Sequence, residues 1–127
     1  MMEGSHRPEP RCWSRTLRAG PAAPAEARWF LWEALNDQDV SVNMDDAVLL
    51  TSEAATNAAR HGKEPIEMSI TVEEEGLQVS VFDQGPGFDP EDEAVRSHGF
   101  GVNMIERLSS AWGVRRREGG TEVWFRM

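Results

Sequence analysis

A single cysteine, Cys12, stands in this chain of 127 residues. No internal disulfide can form, which suits a reducing compartment, and one lone thiol makes no metal site. No apolar run approaches the roughly 18 residues needed to span a membrane. The N-terminus lacks the apolar stretch and small-residue cleavage pattern of a signal peptide. The expectation is a cytoplasmic protein without membrane contact. Basic residues are in the minority, 13 against 22 acidic ones, for a net charge of −9. That balance argues against a direct, sequence-independent grip on nucleic acid, which needs Lys and Arg to displace counterions. A Gly-x-x-x-x-Gly-Lys-Ser/Thr phosphate loop, internal repeats and low-complexity segments are also missing.

The length is that of one domain, and such a chain buries enough surface to need no staple. Residues 1–10, polar and carrying Pro8 and Pro10, are expected as a flexible tail, with the folded domain over 11–127. Charge is uneven. Arg7, Arg11, Arg15 and Arg18 make the start basic, Arg115, Arg116 and Arg117 form a run near the end, and acid concentrates between Glu64 and Glu93. Each run is either a solvated face or a docking surface.

Periodicity gives the elements. Cys12 to Leu17 alternates weakly as an edge strand. After Gly20-Pro-Ala-Ala-Pro24, the stretch Ala25 to Asn36 reads as helix, Pro24 suiting its first turn. Trp29, Trp32 and Leu35 share one face, with Phe30 and Ala34 beside it, and are expected in the core. A second helix starts at an Asn43 or Asp45 cap and ends near His61 at Gly62. Ile66 to Glu74 and Leu77 to Asp83 alternate as a hairpin around Glu75-Gly76. Phe88 to His98 is acidic and irregular. Gly101 to Ala111 forms a third helix, and Trp112 to Arg117 with Thr121 to Met127 forms a second hairpin. The expected fold class is α+β: a two-layer α/β sandwich, its sheet mixed but mostly antiparallel, with three helices on one face.

Four stretches carry chemistry. Glu53 and Asn57, four apart on a helix, leave the same side, while Ala54, Ala55, Ala58 and Ala59 keep that helix slim. An Asn oxygen suits Mg²⁺, which fills its other positions with phosphate and water, and a neighbouring Glu can activate a hydroxyl or water. Asp83-Gln-Gly85-Pro-Gly87 places a carboxylate at a strand end, able to accept from an adenine amine, beside glycines that let backbone come close. Gly99-Phe100-Gly101 opens a helix whose unpaired amides suit phosphate. Gly119-Gly120-Thr121 leads into the last strand, where the Thr121 hydroxyl can join a water network under a base. Each stretch alone reads equally as ordinary structure. Their order and element types together describe one pocket for a nucleoside triphosphate and Mg²⁺.

On these residues the chain resembles the GHKL ATPase superfamily, and within it the small bacterial anti-sigma-factor serine/threonine kinases, or histidine-kinase-like ATPases. Leu49 through Gly62 is similar to the family's N-box. Val81 through Phe88 is similar to the first glycine box, and His98 through Ile105 to the second. Ala111-Trp-Gly-Val114 and Gly119 through Phe125 resemble the family's ending. The resemblance implies a Bergerat-type ATP-binding fold, ATP and Mg²⁺ as cofactors, Mg²⁺ on Asn57, adenine on Asp83 and Glu53 as catalytic base. It implies an ATP site drawn from Asn57, His61, Asp83, Gly85, Gly87, Gly99, Phe100, Gly101, Val102 and Thr121. It also implies an anti-anti-sigma factor as the phosphorylated substrate, a sigma factor or other regulator as second partner, and a possible homodimer. A catalytically weak ATP-binding module that only sequesters its partner is the alternative. The segment between Gly87 and Gly99 carries Asp89, Glu91, Asp92 and Glu93, with Arg96 and His98 its basic groups. Glu122 is expected at an outward-facing strand position.

Overall fold

The computed structural model describes residues 11–74, 76–97 and 101–127. The expected tail, Glu75, His98, Gly99 and Phe100 lie outside them. The elements are β1 (Arg11–Leu17), α1 (Ala23–Leu35), α2 (Met44–His61), β2 (Ile66–Glu73), β3 (Gly76–Asp83), α3 (Glu93–Ser97), α4 (Val102–Leu108), β4 (Ala111–Arg117) and β5 (Gly120–Arg126).

The five strands form one sheet in the order β1-β2-β3-β5-β4. Every neighbouring pair is antiparallel, so the expected mixed sheet is corrected to a fully antiparallel one among the described residues. Hairpins explain this. β2 and β3 are joined by the short link that follows Glu73, and β4 and β5 through Glu118 and Gly119, as the pairs Glu73↔Gly76 and Arg117↔Gly120 show. The second hairpin then docks β5 against β3, opposing Asp83 to Thr121. Gly119 supplies the positive φ of its turn (87°) and Glu74 that of the first (52°).

Period-two alternation sorts the two faces. Ile66, Met68, Ile70, Val72, Leu77, Val79, Val81, Val123 and Phe125 are buried toward the helices. They form one core with Leu17, Leu31, Leu50 and Ile105. The opposite face carries Ser14, Ser69, Ser80 and Gln78. Glu122 does lie on this outer face, opposite Phe82, yet it is only 7 % exposed. Arg115 and Arg117 close over it, with N···O distances of 3.5 and 3.4 Å to its two oxygens. The arginine run therefore serves partly as cover for a carboxylate.

Two helical expectations change. The acidic segment is not wholly irregular: Glu93–Ser97 forms α3, a fourth helix with Val95 buried. On α1 the aromatic stripe points outward. Trp29 is 64 % and Trp32 50 % exposed, while Ala23, Ala27, Phe30, Leu31, Ala34 and Leu35 face the core. Both faces of α1 are apolar, so periodicity alone had two answers, and the smaller residues won the side next to the sheet.

Candidate functional site

The site is built where α2 ends beside the end of β3. The Asn43 side chain caps α2 by accepting from the Asp46 N–H at 3.0 Å. At the other end the Gly62 N–H donates to the Ala58 carbonyl at 3.0 Å. Gly62 has φ −101°, which any residue can adopt. The need for glycine is spatial: a Cβ there would stand 2.3 Å from the Asp83 Cγ and 2.5 and 2.6 Å from its two oxygens.

Asp83 is the last residue of β3 and 7 % exposed. Its Oδ1 accepts from the Gly85 N–H at 2.6 Å and from the Lys63 N–H at 3.4 Å. The Gln84 N–H donates to the Lys63 carbonyl at 2.9 Å, tying the turn to the α2 exit. Both bonds to the carboxylate use Oδ1, so Oδ2 is the oxygen left for a ligand.

Asn57 is 3 % exposed, and neither its Oδ1 nor its Nδ2 has a hydrogen-bond partner. Burying an amide unpaired costs on the order of 1–3 kcal/mol. Native interiors rarely tolerate that without a reason. The apolar alanines around it on α2 offer nothing to bond.

Asn57, His61, Asp83, Gly87 and Phe88 line one narrow cleft floored by Val81 and Val123. The cavity among them is tight, about 10 Å³. Gly87 has φ +80°, and a Cβ on it would lie 2.5 Å from the Thr121 Oγ1. Thr121, 1 % exposed, donates that hydroxyl to the Gly85 carbonyl at 3.1 Å. On the far side, the Arg116 guanidinium donates to the Pro86 carbonyl. Thr121 and Arg116 thus hold the Gly85–Gly87 turn from both ends. Replacing Arg116 by Ala should loosen that turn and lower stability modestly, by about 1 kcal/mol. Chemical denaturation followed by circular dichroism checks this.

Glu53 sits one turn before Asn57 and does not line the cleft. It packs instead against the start of α4: a Cβ on Gly101 would meet the Glu53 Oε2 at 2.2 Å. Gly101 adopts φ +69° as the α4 N-cap. Val102 is 2 % exposed and belongs to the packing beneath α4. Gly85 and Thr121 support the cleft from behind. The expected site residues Gly99 and Phe100 fall outside the described residues.

Arg96, the described cation of the acidic segment, is heavily engaged. It donates to the Glu106 Oε1 at 2.6 Å, the Asn103 Oδ1 at 2.9 Å and the Pro90 carbonyl at 2.8 Å, with the Glu91 Oε2 at 3.4 Å. The hydrogen bond to Glu106, with the charges of Glu106 and Glu91, raises its pKa. These bonds fasten α3 to α4.

Sequence reasoning missed two contributors. Phe88 was read only as part of a turn motif. Arg116 was read only as one charge in a run, although strand alternation sets it opposite Arg115 and Arg117 and so on the side of the turn.

The family profile described as histidine kinase-like ATPase domain matches residues 17–127. The sensor protein CseC of Streptomyces avermitilis is 37 % identical over 73 residues, covering 46 % of this chain and 14 % of that protein. CseC of Streptomyces coelicolor is 36 % identical over 74 residues, with the same coverage of 46 % and 14 %. The chain therefore spans about a seventh of the curated relatives it matches. Among solved structures, the RsbU and RsbW domains of Rv1364c from Mycobacterium tuberculosis superimpose with a TM-score of 0.69 at 24 % identity, over 91 % of this chain and 32 % of that one. The histidine kinase domain of a blue-light activated histidine kinase from Erythrobacter litoralis gives 0.55 at 20 % identity, over 82 % and 58 %. At these identities the superpositions speak for the fold. The antiparallel sheet, the helix layer and a profile match reaching from Leu17 to Met127 agree, and the chain belongs to the histidine kinase-like ATPase domain family.

Proposed function

We propose that this protein binds ATP in the Asn57–Asp83 cleft and transfers its γ-phosphoryl group to a serine or threonine of a partner protein, as an anti-sigma-factor kinase does to its anti-anti-sigma factor. One observation carries this most directly: the Asn57 amide is buried with both polar atoms unpaired, in the same cleft as Asp83. An unmet donor and acceptor at that depth call for a polar ligand, and a family of ATPase domains supplies its chemistry.

The residues fit that ligand. The Asp83 Oδ2 would accept the adenine amine, with Val81, Val123 and Phe88 as apolar surroundings. The Asn57 Oδ1 would hold Mg²⁺. No group of three or more His, Cys, Asp or Glu gathers among the described residues, so phosphate and water would complete the shell, which is how Mg²⁺ is commonly held. When bound, the ion would neutralise charge on the transferring phosphoryl group. Glu53, on the Asn57 side of α2, would accept the proton of the attacking hydroxyl. α4 has only seven residues, so its N-terminus offers a small dipole, and phosphate binding leans on the ion and the turn backbone.

The test is to incubate the protein with Mg-ATP and a small candidate partner that carries an accessible serine. Phosphoserine or phosphothreonine on that partner is expected. Transfer to histidine, or none with any partner that binds, overturns the serine/threonine assignment. A second reading has its own support. Arg96, the described cation of the acidic segment, is already engaged by Glu106, Asn103 and Pro90. In that reading the chain binds ATP, turns it over negligibly and acts by sequestering a sigma factor or another regulator. Robust turnover excludes it.

A further inference from the structure

The segment from Asp89 to Ser97 borders the Asn57–Asp83 cleft and carries the wrong sign for an anionic ligand. Phe88, just before it, lines the cleft. Gly101, beyond its far end, packs against Glu53, one turn before Asn57 on α2. Asp89, Glu91, Asp92 and Glu93 are all exposed along it. Left free to swing over a bound triphosphate, these carboxylates would repel it. Apolar packing does little to restrain them, since Val95 is the one buried residue of α3.

The restraint is polar, and it converges on Arg96. Its Nε donates to the Pro90 carbonyl at 2.8 Å and so gathers in the start of the segment. Its Nη1 donates to the Asn103 Oδ1 at 2.9 Å and the Glu106 Oε1 at 2.6 Å, both on α4. Its Nη2 reaches the Glu91 Oε2 at 3.4 Å. The guanidinium also lies 5.8 Å from the centre of the Trp112 ring on β4. Asp89 and Asp92 are meanwhile turned back on their own backbone, each Oδ1 accepting from an N–H, that of Glu91 at 2.9 Å and that of Ala94 at 2.8 Å. One side chain thus ties the acidic stretch to α4 and β4.

We propose that Arg96 is a positioning residue: it holds the acidic segment against α4 and so keeps four carboxylates off a bound triphosphate. The inference rests on the ATP-binding reading above and deepens it. Arg96 acts through the segment it holds and makes no contact with the nucleotide itself. Its effect is therefore one of selectivity. Repulsion grows with the charge of the ligand, so loosening Arg96 from α4 harms ATP more than ADP. A guanidinium that served the phosphates directly would behave in the opposite way, because freeing it from Glu106 would make it available to them.

Titration calorimetry on the full chain with Mg-ATP and Mg-ADP tests it. Glu106→Ala releases Arg96 from its shortest bond to α4 and leaves its charge in place. It should weaken Mg-ATP binding about 5-fold and Mg-ADP binding only about 2-fold, since ADP carries less charge. Arg96→Gln should weaken them about 10-fold and about 3-fold. Adding Asp89→Asn, Glu91→Gln, Asp92→Asn and Glu93→Gln to either variant should return ATP affinity to within about 2-fold of the wild type, because the repelling groups are gone. Molar salt, which cuts the Debye length to about 3 Å, should close the gap between the ATP and ADP losses. Circular dichroism confirms that each variant is folded. Tighter ATP binding by Glu106→Ala overturns the proposal, as do unchanged affinities, equal losses for the two nucleotides, or a loss that survives neutralisation of the acids. A folded wild type that binds neither nucleotide brings down the ATP-binding reading, and this inference with it.

Discussion

Glu53→Gln is expected to lower phosphotransfer about 10²- to 10⁴-fold, the usual contribution of a general base, while ATP affinity stays within about 2-fold. The geometry separates the two effects. Glu53 lies outside the cleft lined by Asn57 and Asp83, so its loss leaves the proposed purine contacts intact. It packs against the N-cap of α4, and Gln keeps its length and volume, so Gly101 keeps its neighbour. What Gln lacks is a site for the proton. Single-turnover transfer from labelled ATP measures the first quantity and calorimetry the second. Undiminished transfer would remove Glu53 from the chemistry. A matching fall in affinity would make it a binding residue.

The second large effect concerns one carboxylate and the glycine beneath it. Asp83→Ala removes a charged acceptor from the cleft and should weaken ATP binding by roughly 1.5–3 kcal/mol, or about 10- to 150-fold, in a protein that still folds. Gly62→Ala should do comparable damage from the other side. Its new methyl would stand 2.3 Å from the Asp83 Cγ, and the carboxylate cannot swing away without giving up its bonds to the Gly85 and Lys63 N–H groups. The double variant is the decisive one. With Asp83 shortened to Ala, the methyl added at position 62 has room, so the two losses should not add and the double variant should bind like Asp83→Ala alone. Full additivity would show that Gly62 acts on the site by another route. Unchanged affinity in a folded Asp83→Ala protein would take adenine out of the assignment.

Much of this arrangement was legible in advance, for physical reasons. Alternation over Ile66–Glu73 and Gly76–Asp83 marks a half-buried hairpin, because strand side chains alternate across a sheet. Asn43 announces the start of α2 through its cap. Where reading failed, the signal was degenerate. α1 has two apolar stripes, and a hydrophobic period says that a face is buried without saying which. The acidic stretch that contains α3 has a single buried apolar residue, Val95, too little for a helical period to register. Glu122 looked like a solvated charge because Arg115 and Arg117, which cover it, reach it across the β4–β5 pair.

By itself the sequence determined the α+β class, the hairpins, the helix that carries Glu53 and Asn57, and membership of an ATPase family, since all of these rest on local spacing and short motifs. Only the tertiary structure decided that Gly62 is a spatial necessity for Asp83, that Arg116 braces the turn, and that the tryptophans of α1 face outward. Those facts depend on which distant surfaces meet, and contact across long sequence separations leaves no periodic trace in the chain.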